Sequence, residues 1–231
     1  MKILIPMAGK SQRFIEAGYT VPKHLILVEG IPVIEHIVRK FSASDDFVFG
    51  CSEDELHQAS LLKKIAPKCN IISMPFKKEG PLYGLKIMQN YIQDEEAVVV
   101  NYCDFSWVWD YEDFKVKISE NNCDGAIVCY RGFHPHLLGN GKYATLDADG
   151  LWMREIKEKY SWHKSKMDDW TSSGTYYFRR GAYIKKYIKE IEKRSELKVN
   201  NEFYVSQLFQ LMKEDGLKIF IYEIPYMLQW G

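Results

Sequence analysis

The sequence predicts an α/β fold in which a mixed, mainly parallel central sheet is flanked by helices. Apolar strand-like runs alternate with helix-like segments from Met1 to about residue 130, and such alternation is typical of a parallel sheet with crossover helices. The first strand, predicted over residues 2–7, is almost continuously apolar, as expected of a strand covered on both faces. Beyond residue 130 the alternation loosens, which favours a mixed sheet within a single domain.

Hydrophobic spacing places the remaining elements in order. Apolar residues at helical spacing predict helices over about 33–41, 54–65 and 84–92, and short apolar runs predict strands over 46–51, 70–74 and 96–101. In the second half, strands are predicted over 125–130, 143–146, 174–178 and 218–222, with helices over about 182–194 and 203–214. Ligands should gather at the carboxyl ends of the parallel strands, where the following loops meet.

Composition excludes several classes of function. Lys plus Arg and Asp plus Glu each number 31, for a net charge of zero, which argues against binding of nucleic acid. The five cysteines form no Cys-x-x-Cys pair and lie mostly in apolar runs, so we expect buried free thiols in a reducing cytoplasm. No apolar run approaches the roughly 20 residues of a membrane span, and no export signal opens the chain. We therefore predict a cytoplasmic protein without membrane or nucleic-acid partners.

The loop after the first strand carries small residues and cations. It is not a Walker A loop, because Leu4 stands where that motif needs a glycine, and Ser11 replaces the second glycine of the dinucleotide fingerprint. Backbone amides at residues 8–9 can approach an anion, and Arg13 and Lys23 could clamp the same phosphates from two sides. A solvated loop with two surface cations is the alternative.

Two segments of this loop resemble the signature of the nucleotidyltransferases that activate sugar phosphates and phosphorylated alcohols. They read MAGKSQRF over 7–14 and AGYTVPKHL over 17–25, with Ser11 where the family usually has a glycine. The resemblance extends through most of the chain and implies a Rossmann-like fold of GT-A type. It implies catalytic roles for Arg13 and Lys23, and nucleotide binding by Met7, Ala8, Gly9, Lys10, Ser11 and Gln12.

Two further segments would complete the nucleotide site. In similar enzymes the stretch 79–84 approaches the nucleobase, which assigns Gly80 and Pro81 to nucleotide binding, although Gly-Pro is also an ordinary helix start. The apolar run 98–101 leads to Tyr102, which the resemblance assigns to the nucleotide, and to Asp104. By resemblance Asp104 is a ligand of Mg²⁺, the cofactor, since a hard carboxylate suits that ion; the alternative is a helix cap.

Four residues are implied to contact the acceptor. Glu158 would bind polar acceptor atoms, Lys159 its phosphate, and Gly174 would permit its close approach. Glu202, predicted to open a helix, would be a further contact. Without the resemblance, the charged run 155–159 is a solvated face, and an acid in a helix's first turn is dipole chemistry.

The end of the chain departs from the family. Relatives usually continue past the final Trp-Gly with a closing helix, so we expect a truncated C-terminus within a single domain over 1–231. About 1–130 would form the nucleotide-binding half and about 131–231 the acceptor-binding half. Many relatives carry an aspartate as second metal ligand where this chain has Gln229, so that ligand stays unassigned. A cluster of tryptophans over 152–170 could line an acceptor pocket or the seam of a homodimer.

The resemblance implies transfer of a nucleoside monophosphate from a nucleoside triphosphate to a phosphorylated small molecule, with release of pyrophosphate. The variant over 19–24 looks closest to a branch in capsule and surface-polysaccharide pathways that includes cytidylyltransferases. This favours CTP, with phosphoglutamine, a sugar phosphate or an alcohol phosphate as acceptor. A GT-A-type glycosyltransferase stays open, although its usual Asp-x-Asp is replaced by Tyr102-Cys103-Asp104. A non-catalytic nucleotide-binding module is the third reading.

Overall fold

The computed structural model describes residues 1–75, 77, 79–139 and 143–230, with Arg13 described through its backbone alone. The strands are β1 (Lys2–Pro6), β2 (Leu27–Val28), β3 (Ile31–Pro32), β4 (Asp46–Ser52), β5 (Asn70–Met74), β6 (Val98–Asn101), β7 (Phe105–Val108), β8 (Gly125–Tyr130), β9 (Ala144–Asp149), β10 (Trp152–Glu158), β11 (Trp170–Phe178), β12 (Ile219–Glu223) and β13 (Tyr226–Gln229). The helices are α1 (Gln12–Glu16), α2 (Val33–Val38), α3 (Ala59–Ile65), α4 (Pro81–Met88), α5 (Tyr111–Glu120), α6 (Gly181–Ile191) and α7 (Ser206–Glu214).

A nine-stranded mixed sheet with the order β5-β4-β1-β6-β11-β8-β12-β10-β9 forms the centre of the molecule. Strands β5, β4, β1 and β6 run parallel, as the alternation in the first half predicts. Strand β11 then runs antiparallel between β6 and β8, while β12 is parallel to β8. The predicted α/β class with a mixed central sheet is therefore confirmed.

The sheet is covered on both faces. Along β1, Ile3 and Ile5 belong to one apolar cluster and Leu4 to the opposite one, and all three are fully buried. Helices α2 and α5 contribute to the first cluster, and α4, α6 and α7 to the second. A strand with apolar layers on both sides must be apolar at successive positions, which explains the continuous run at the start of the sequence.

Several elements were not predicted, among them α5 and β10, and the last helix begins later than expected. Helix α5 starts after Asp110, whose carboxylate accepts from the amides of Glu112 and Asp113 as an N-cap. The charged run 155–159 lies largely on strand β10, which pairs antiparallel with β9. The helix predicted over 203–214 begins at Ser206, so the expectation that Glu202 opens it is wrong.

A short ribbon lies beside the end of β6. Strands β7 and β13 pair antiparallel, with Gln229 opposite Phe105. The amide of Trp230 donates to the carbonyl of Asp104 at 3.0 Å. The last strand of the described chain therefore runs directly past the carboxyl end of β6.

In residues 1–75, 77, 79–139 and 143–230, no helix has both the length and the apolar character that a membrane span needs.

Candidate functional site

Two adjoining cavities open at the carboxyl ends of β1 and β6. The first, of about 290 Å³, lies between the loop after β1 and the start of α4. The second, of about 480 Å³, lies between β11, the end of β10 and the segment before α7. Pro81, Tyr102 and Asp104 line both cavities. The two spaces therefore meet at the edge of the sheet where the sequence predicts ligands.

Most of the predicted nucleotide-binding residues line the first cavity. They are Met7, Ala8, Gly9, Gly80, Pro81 and Tyr102, and the predicted catalytic Lys23 and predicted metal ligand Asp104 line the same cavity. Lys10, Ser11 and Gln12 do not line it: Lys10 is exposed, and Gln12 Nε2 donates to Glu16 Oε1 at 3.0 Å on the surface of α1. The side chain of Arg13 lies outside the described part of the chain.

Ser11 instead stabilises the loop after β1 through hydrogen bonds. Its backbone adopts a left-handed conformation with φ of 50°, and its carbonyl accepts from the amides of Phe14 and Ile15. Its hydroxyl accepts from the amide of Lys23 at 3.1 Å. A small residue with a hydroxyl at this position thus joins the two ends of the signature loop.

Lys23 and Asp104 form a direct ion pair. Lys23 Nζ donates to Asp104 Oδ2 at 2.7 Å, and the two side chains are 20% and 17% exposed. Strands β1 and β6 are parallel neighbours, so the segments that follow them meet at one edge of the sheet. The predicted catalytic lysine and the predicted metal ligand are therefore ion-paired with each other.

His24 anchors the turn that presents Lys23. Its ring is buried, and Nε2 lies 2.7 Å from Gln58 Oε1. Burial is the main reason that the pKa of His24 is lowered to about 4, so the imidazole is neutral at physiological pH. A buried neutral hydrogen bond of this kind fixes the backbone next to Lys23 without adding a second charge.

Gly80 is required by the protein's own backbone. Its φ is +89°, and a Cβ there would lie 2.6 Å from the carbonyl oxygen of Phe203. The amide of Leu82 donates to that same oxygen at 3.2 Å. The close approach that the sequence assigned to the nucleobase is therefore made by residue 203, although Gly80 and Pro81 do line the first cavity.

Glu202 lies in a reversed turn before α7. Asn200 and Asn201 both adopt left-handed conformations, with φ of 54° and 63°, and Val199 and Glu202 form an isolated β-bridge. Consecutive asparagines tolerate this conformation, so the chain reverses instead of starting a helix. The turn places Glu202 in the lining of the first cavity and not of the second, which differs from its predicted acceptor contact.

The other three predicted acceptor residues line the second cavity. They are Glu158, Lys159 and Gly174. Ser206 Oγ donates to Glu158 Oε1, and burial raises the pKa of the Glu158 carboxyl to about 7 against the lowering effects of Ser206 and Lys159. This carboxylate therefore changes charge close to neutral pH.

A hydrogen-bonded relay joins the two cavities. Lys159 Nζ donates to the Tyr204 hydroxyl at 3.0 Å, and that hydroxyl donates to Glu202 Oε2 at 2.8 Å. Lys159 adopts a left-handed conformation with φ of 55° at the end of β10. Tyr204 thus links Glu202 to Lys159 in the lining of the second cavity.

Gly174 lies at an irregularity of β11, where the register with β8 shifts between Ser172 and Thr175. Its φ is +84°, and a Cβ would lie 2.1 Å from the ring of Phe105. The predicted role was close approach of the acceptor, but the space beside Gly174 is filled by this ring. The glycine therefore shapes the second cavity by admitting Phe105.

Sequence reasoning missed the aromatic wall of the second cavity, formed by Phe105, Tyr143, Tyr176 and Tyr204. Tyr176 and Tyr204 lie within segments that carry the resemblance, so their presence was visible although their direction was not. Tyr143 is brought in by strand pairing, since Lys159 N donates to its carbonyl oxygen at 3.0 Å. No local signal predicts that contact.

The donors near Asp104 fit a metal ion that is shared with a phosphate ligand. Within the described ranges, no group of three or more His, Cys, Asp or Glu side chains could hold a metal. Mg²⁺ is commonly bound by one or two carboxylates together with substrate phosphates. Asp104 satisfies that pattern. Gln229 pairs with Phe105, the residue after Asp104, and lines neither cavity.

One family model matches about two thirds of the chain. A model of the MobA-like NTP transferase domain matches residues 3–154. The bifunctional protein GlmU of Clostridioides difficile (strain 630) is 26% identical over 227 residues, covering 94% of this chain and 45% of that protein. The chain therefore spans less than half the length of that relative.

Solved structures share the fold. The nucleoside-diphosphate-sugar pyrophosphorylase of Vibrio cholerae RC9 superposes with a TM-score of 0.81 at 23% identity, covering 99% of this chain and 95% of that one. The inositol-1-phosphate CTP transferase of T. maritima gives a TM-score of 0.75 at 13% identity, covering 98% and 86%. Both likenesses confirm the predicted fold class.

Proposed function

This chain belongs to the family of MobA-like NTP transferase domains, and from that membership we propose that it transfers a nucleoside monophosphate to a phosphorylated small molecule. The donor is a nucleoside triphosphate, CTP being favoured, and pyrophosphate is released. One observation carries the proposal: the ion pair of Lys23 with Asp104, 2.7 Å long, lies where the two cavities meet. A reaction between two phosphates needs a cation and a metal ligand at such a junction.

The donor occupies the first cavity in this proposal. Its phosphates approach the small residues Ala8 and Gly9, and its base lies toward Gly80 and Pro81. Arg13 and Lys10 bind the leaving pyrophosphate. The acceptor occupies the second cavity, with its phosphate toward Lys159. The nucleotide-binding half of a single domain then comprises about residues 1–130, and the acceptor half about residues 131–231. Glu202 belongs to the second half by sequence but lines the first cavity.

The chemical step is an in-line displacement. An oxygen of the acceptor phosphate forms a bond to the α-phosphorus of the donor, and the bond from that phosphorus to the oxygen bridging the β-phosphate breaks. The electron pair of the broken bond leaves on pyrophosphate. Because the attacking phosphate is already anionic, no strong general base is required. Lys23 stabilises charge at the α-phosphate, so the step depends on positioning and electrostatics.

Asp104 is the residue that would hold Mg²⁺, with the remaining ligands coming from the triphosphate. When bound, Mg²⁺ would supply neutralisation of phosphate charge. Gln229, opposite Phe105 in the β7–β13 ribbon, stands where many relatives carry an aspartate, and an amide is a weaker ligand than that aspartate. This supports a metal that arrives with the nucleotide.

The finer assignments rest on motif likeness and chemistry. The variant over residues 19–24 favours a cytidylyltransferase of capsule or surface-polysaccharide biosynthesis, with phosphoglutamine, a sugar phosphate or an alcohol phosphate as acceptor. The cysteines are free thiols, which supports a cytoplasmic location. A homodimer stays a prediction. Two of the tryptophans that could line its interface have partners within the chain: the Arg131 guanidinium lies over the Trp170 ring, and the Trp152 ring is in edge contact with Phe220.

A thermal-shift screen with CTP, UTP, ATP, GTP and dTTP, with and without Mg²⁺, tests the donor. A triphosphate that binds the native state at a hundredfold excess over its Kd adds about 2.7 kcal/mol of apparent stability. We expect one triphosphate, CTP first, to give a shift that Mg²⁺ enhances, followed by pyrophosphate release with a phosphorylated acceptor. Binding without pyrophosphate release from any acceptor would contradict the proposal, since a glycosyltransferase or a binding module releases none.

A further inference from the structure

Strand β6 ends in a buried amide. Asn101 follows three valines, and like them it is fully buried. A polar side chain in such a position costs free energy unless its donors and acceptors are paired. Thr175 lies directly opposite on β11, and its hydroxyl donates to Asn101 Oδ1 at 2.6 Å. Asn101 Nδ2 in turn donates to the carbonyl oxygen of Tyr102 at 2.7 Å. The amide therefore links β11 to the residue at which the chain leaves β6.

The bond to Tyr102 replaces a hydrogen bond of the sheet. A backbone carbonyl that leaves a buried strand still needs a donor, and the Asn101 side chain supplies it. The Tyr102 amide donates to the carbonyl oxygen of Gly174 at 3.3 Å. Both backbone polar groups of Tyr102 are thus bonded, which fixes the direction in which the chain leaves the sheet.

The irregularity of β11 belongs to the same network. Ser173 Oγ donates to Thr175 Oγ1 at 3.3 Å, and Ser172 Oγ accepts from the amide of Gly174 at 3.1 Å. The two serines and Thr175 are at most 2% exposed. A fully bonded polar network in the interior rigidifies the backbone that carries it. The irregularity of β11 and the end of β6 therefore form one rigid unit.

This unit carries the residues shared by the two cavities. Tyr102 and Asp104 line both of them, and the Asp104 carboxylate is paired with Lys23 at 2.7 Å. Neither Asn101 nor Thr175 lines either cavity. Any effect of these two residues on a reaction in the cavities must therefore pass through the segment 102–104.

We propose that Asn101 and Thr175 are positioning residues, whose buried hydrogen bond fixes the segment 102–104 and so holds Asp104 against Lys23 before a substrate binds. This inference rests on the proposed nucleotidyl transfer and gives a role to two residues that touch no ligand in it. A displacement of about 1 Å at a reacting centre can lower a rate by about 10²-fold. A network that served only the sheet would change unfolding but not the turnover of the folded protein.

Thr175→Val tests the positioning role, because it keeps the shape of the side chain and removes the hydroxyl. In the folded variant, kcat for pyrophosphate release from CTP, or from the triphosphate that the thermal-shift screen selects in its place, should fall by about tenfold or more. Thr175→Ser restores the hydroxyl and should recover most of the lost rate. Urea unfolding shows whether each variant is folded.

Thr171→Val is the matched control. Thr171 lies on the same strand and is 1% exposed, and its Oγ1 has no hydrogen-bond partner within the described ranges. The same substitution there removes a buried hydroxyl without breaking a bond, so kcat should stay at the native value.

Acetylation of Lys23 by acetic anhydride reports the ion pair without substrate. The amine is 20% exposed and paired with Asp104, whereas Lys117 is 45% exposed and serves as the internal reference. If Asp104 is displaced, the rate of Lys23 labelling relative to Lys117 should rise by up to about fivefold in Thr175→Val. Peptide mass spectrometry measures this ratio, which should keep its native value in Thr175→Ser and Thr171→Val.

The outcomes separate this inference from the proposed function. Native kcat and a native labelling ratio in folded Thr175→Val would overturn the inference alone. If that variant does not fold, Ser173→Ala takes its place, since it removes only the donor to Thr175 and should move both readouts in the same direction by a smaller factor. An unchanged pair of readouts there would equally overturn the inference. No pyrophosphate release from the native protein with any acceptor would overturn the proposed function and the inference with it.

Discussion

Lys23 Nζ lies 2.7 Å from Asp104 Oδ2, and this contact joins the signature loop to the carboxyl end of β6. Both side chains are mostly buried, so their mutual attraction helps to compensate for the hydration that each charge has lost. In the proposed reaction a triphosphate with Mg²⁺ presents both groups with a new partner: a phosphate oxygen for the lysine and a cation for the aspartate. The pair therefore holds both groups in place before the substrate arrives.

Lys23→Ala should lower kcat for pyrophosphate release by about 10²-fold to 10³-fold, the usual cost of losing one electrostatic contact to a transition state. The matched control is Lys117→Ala, which removes an exposed lysine paired with Glu120 on α5 and should leave turnover unchanged. Steady-state pyrophosphate release measures both variants. Unchanged turnover in a folded Lys23→Ala protein would contradict the assigned role.

Gly174→Ala should destabilise the protein by about 2–4 kcal/mol, because the new Cβ meets both a left-handed backbone and the Phe105 ring at 2.1 Å. Gly132→Ala isolates the first effect, since its φ is +83° and nothing lies within 4 Å of a Cβ there. That control should cost only about 1 kcal/mol. Urea unfolding gives both values, and equal costs would show that Phe105 yields without penalty.

The elements that a local pattern encodes were predictable. The apolar runs of β1 and β6 predicted parallel strands whose carboxyl ends lie at one sheet edge, and Lys23 and Asp104 meet there. That β6 pairs directly with β1, while β4 and β5 lie on the other side of β1, is a long-range pairing that the apolar runs did not predict. Helix α5 also carried a local signal, since Asp110 precedes buried residues at helical spacing, Tyr111, Phe114 and Ile118. It was missed although the information was present.

The acceptor side was not predictable in the same way. Glu158 meets Ser206 because β10 and α7 pack together across 48 positions of sequence. Gly174 was recognisable as a glycine with a special role, but the ring that needs it comes from Phe105, on a different strand. Glu202 was misplaced because a helix was extended through two asparagines whose left-handed conformation ends it. These contacts depend on long-range pairing, which hydrophobic spacing does not report.

Glu158 should make the stability of the protein depend on pH. Its pKa is about 7 in the folded protein and near 4.5 in the unfolded chain, so the folded state holds the extra proton between those values. Stability then falls as pH rises from 4.5 to about 7. Glu158→Gln removes this dependence. At pH 8 the free energy of unfolding of the variant should exceed that of the native protein by up to about 3 kcal/mol, and by less where water in the cavity screens the charge.

Chemical denaturation of both proteins between pH 5 and pH 8 measures that difference. The control is Glu155→Gln, three positions away on β10 with a half-exposed side chain paired to Lys157 at 2.8 Å. We expect it to stay within about 0.5 kcal/mol of the native protein. If the gain from Glu158→Gln were the same at every pH, charge burial would not be its cause.

Asp169→Asn should loosen the loop between β10 and β11. The Asp169 carboxylate is fully buried and accepts from Ser161 Oγ at 2.5 Å, from the amides of Trp162 and His163 at 3.0 Å, and from His163 Nδ1 at 2.8 Å. An amide loses the charge that strengthens these bonds and one accepting oxygen, at a cost of about 2–3 kcal/mol.

Limited trypsin digestion reads out this loop, since Lys164 is exposed within it. Cleavage after Lys164 should accelerate in Asp169→Asn, whereas Asp168→Asn, at the exposed neighbouring position, should digest as the native protein does. Identical digestion of the two variants would show that the loop is held by other contacts.

Gln229→Asp should reduce the Mg²⁺ concentration needed for half-maximal pyrophosphate release, by about tenfold. Gln229 pairs with Phe105, the residue after Asp104. By resemblance it stands where many relatives carry an aspartate as second metal ligand, so an aspartate here should add a second hard carboxylate to the proposed metal site. Asp104→Asn should raise the Mg²⁺ concentration needed for half-maximal release and lower kcat, because it removes the first carboxylate.

Leu228→Asp is the control: its exposed side chain lies one residue along the same strand, and successive side chains of a strand point to opposite faces. A Mg²⁺ titration that moves in opposite directions for the two site variants, and stays in place for the control, supports a metal held between Asp104 and the triphosphate. A curve that is the same for Asp104→Asn and the native protein would place the metal elsewhere.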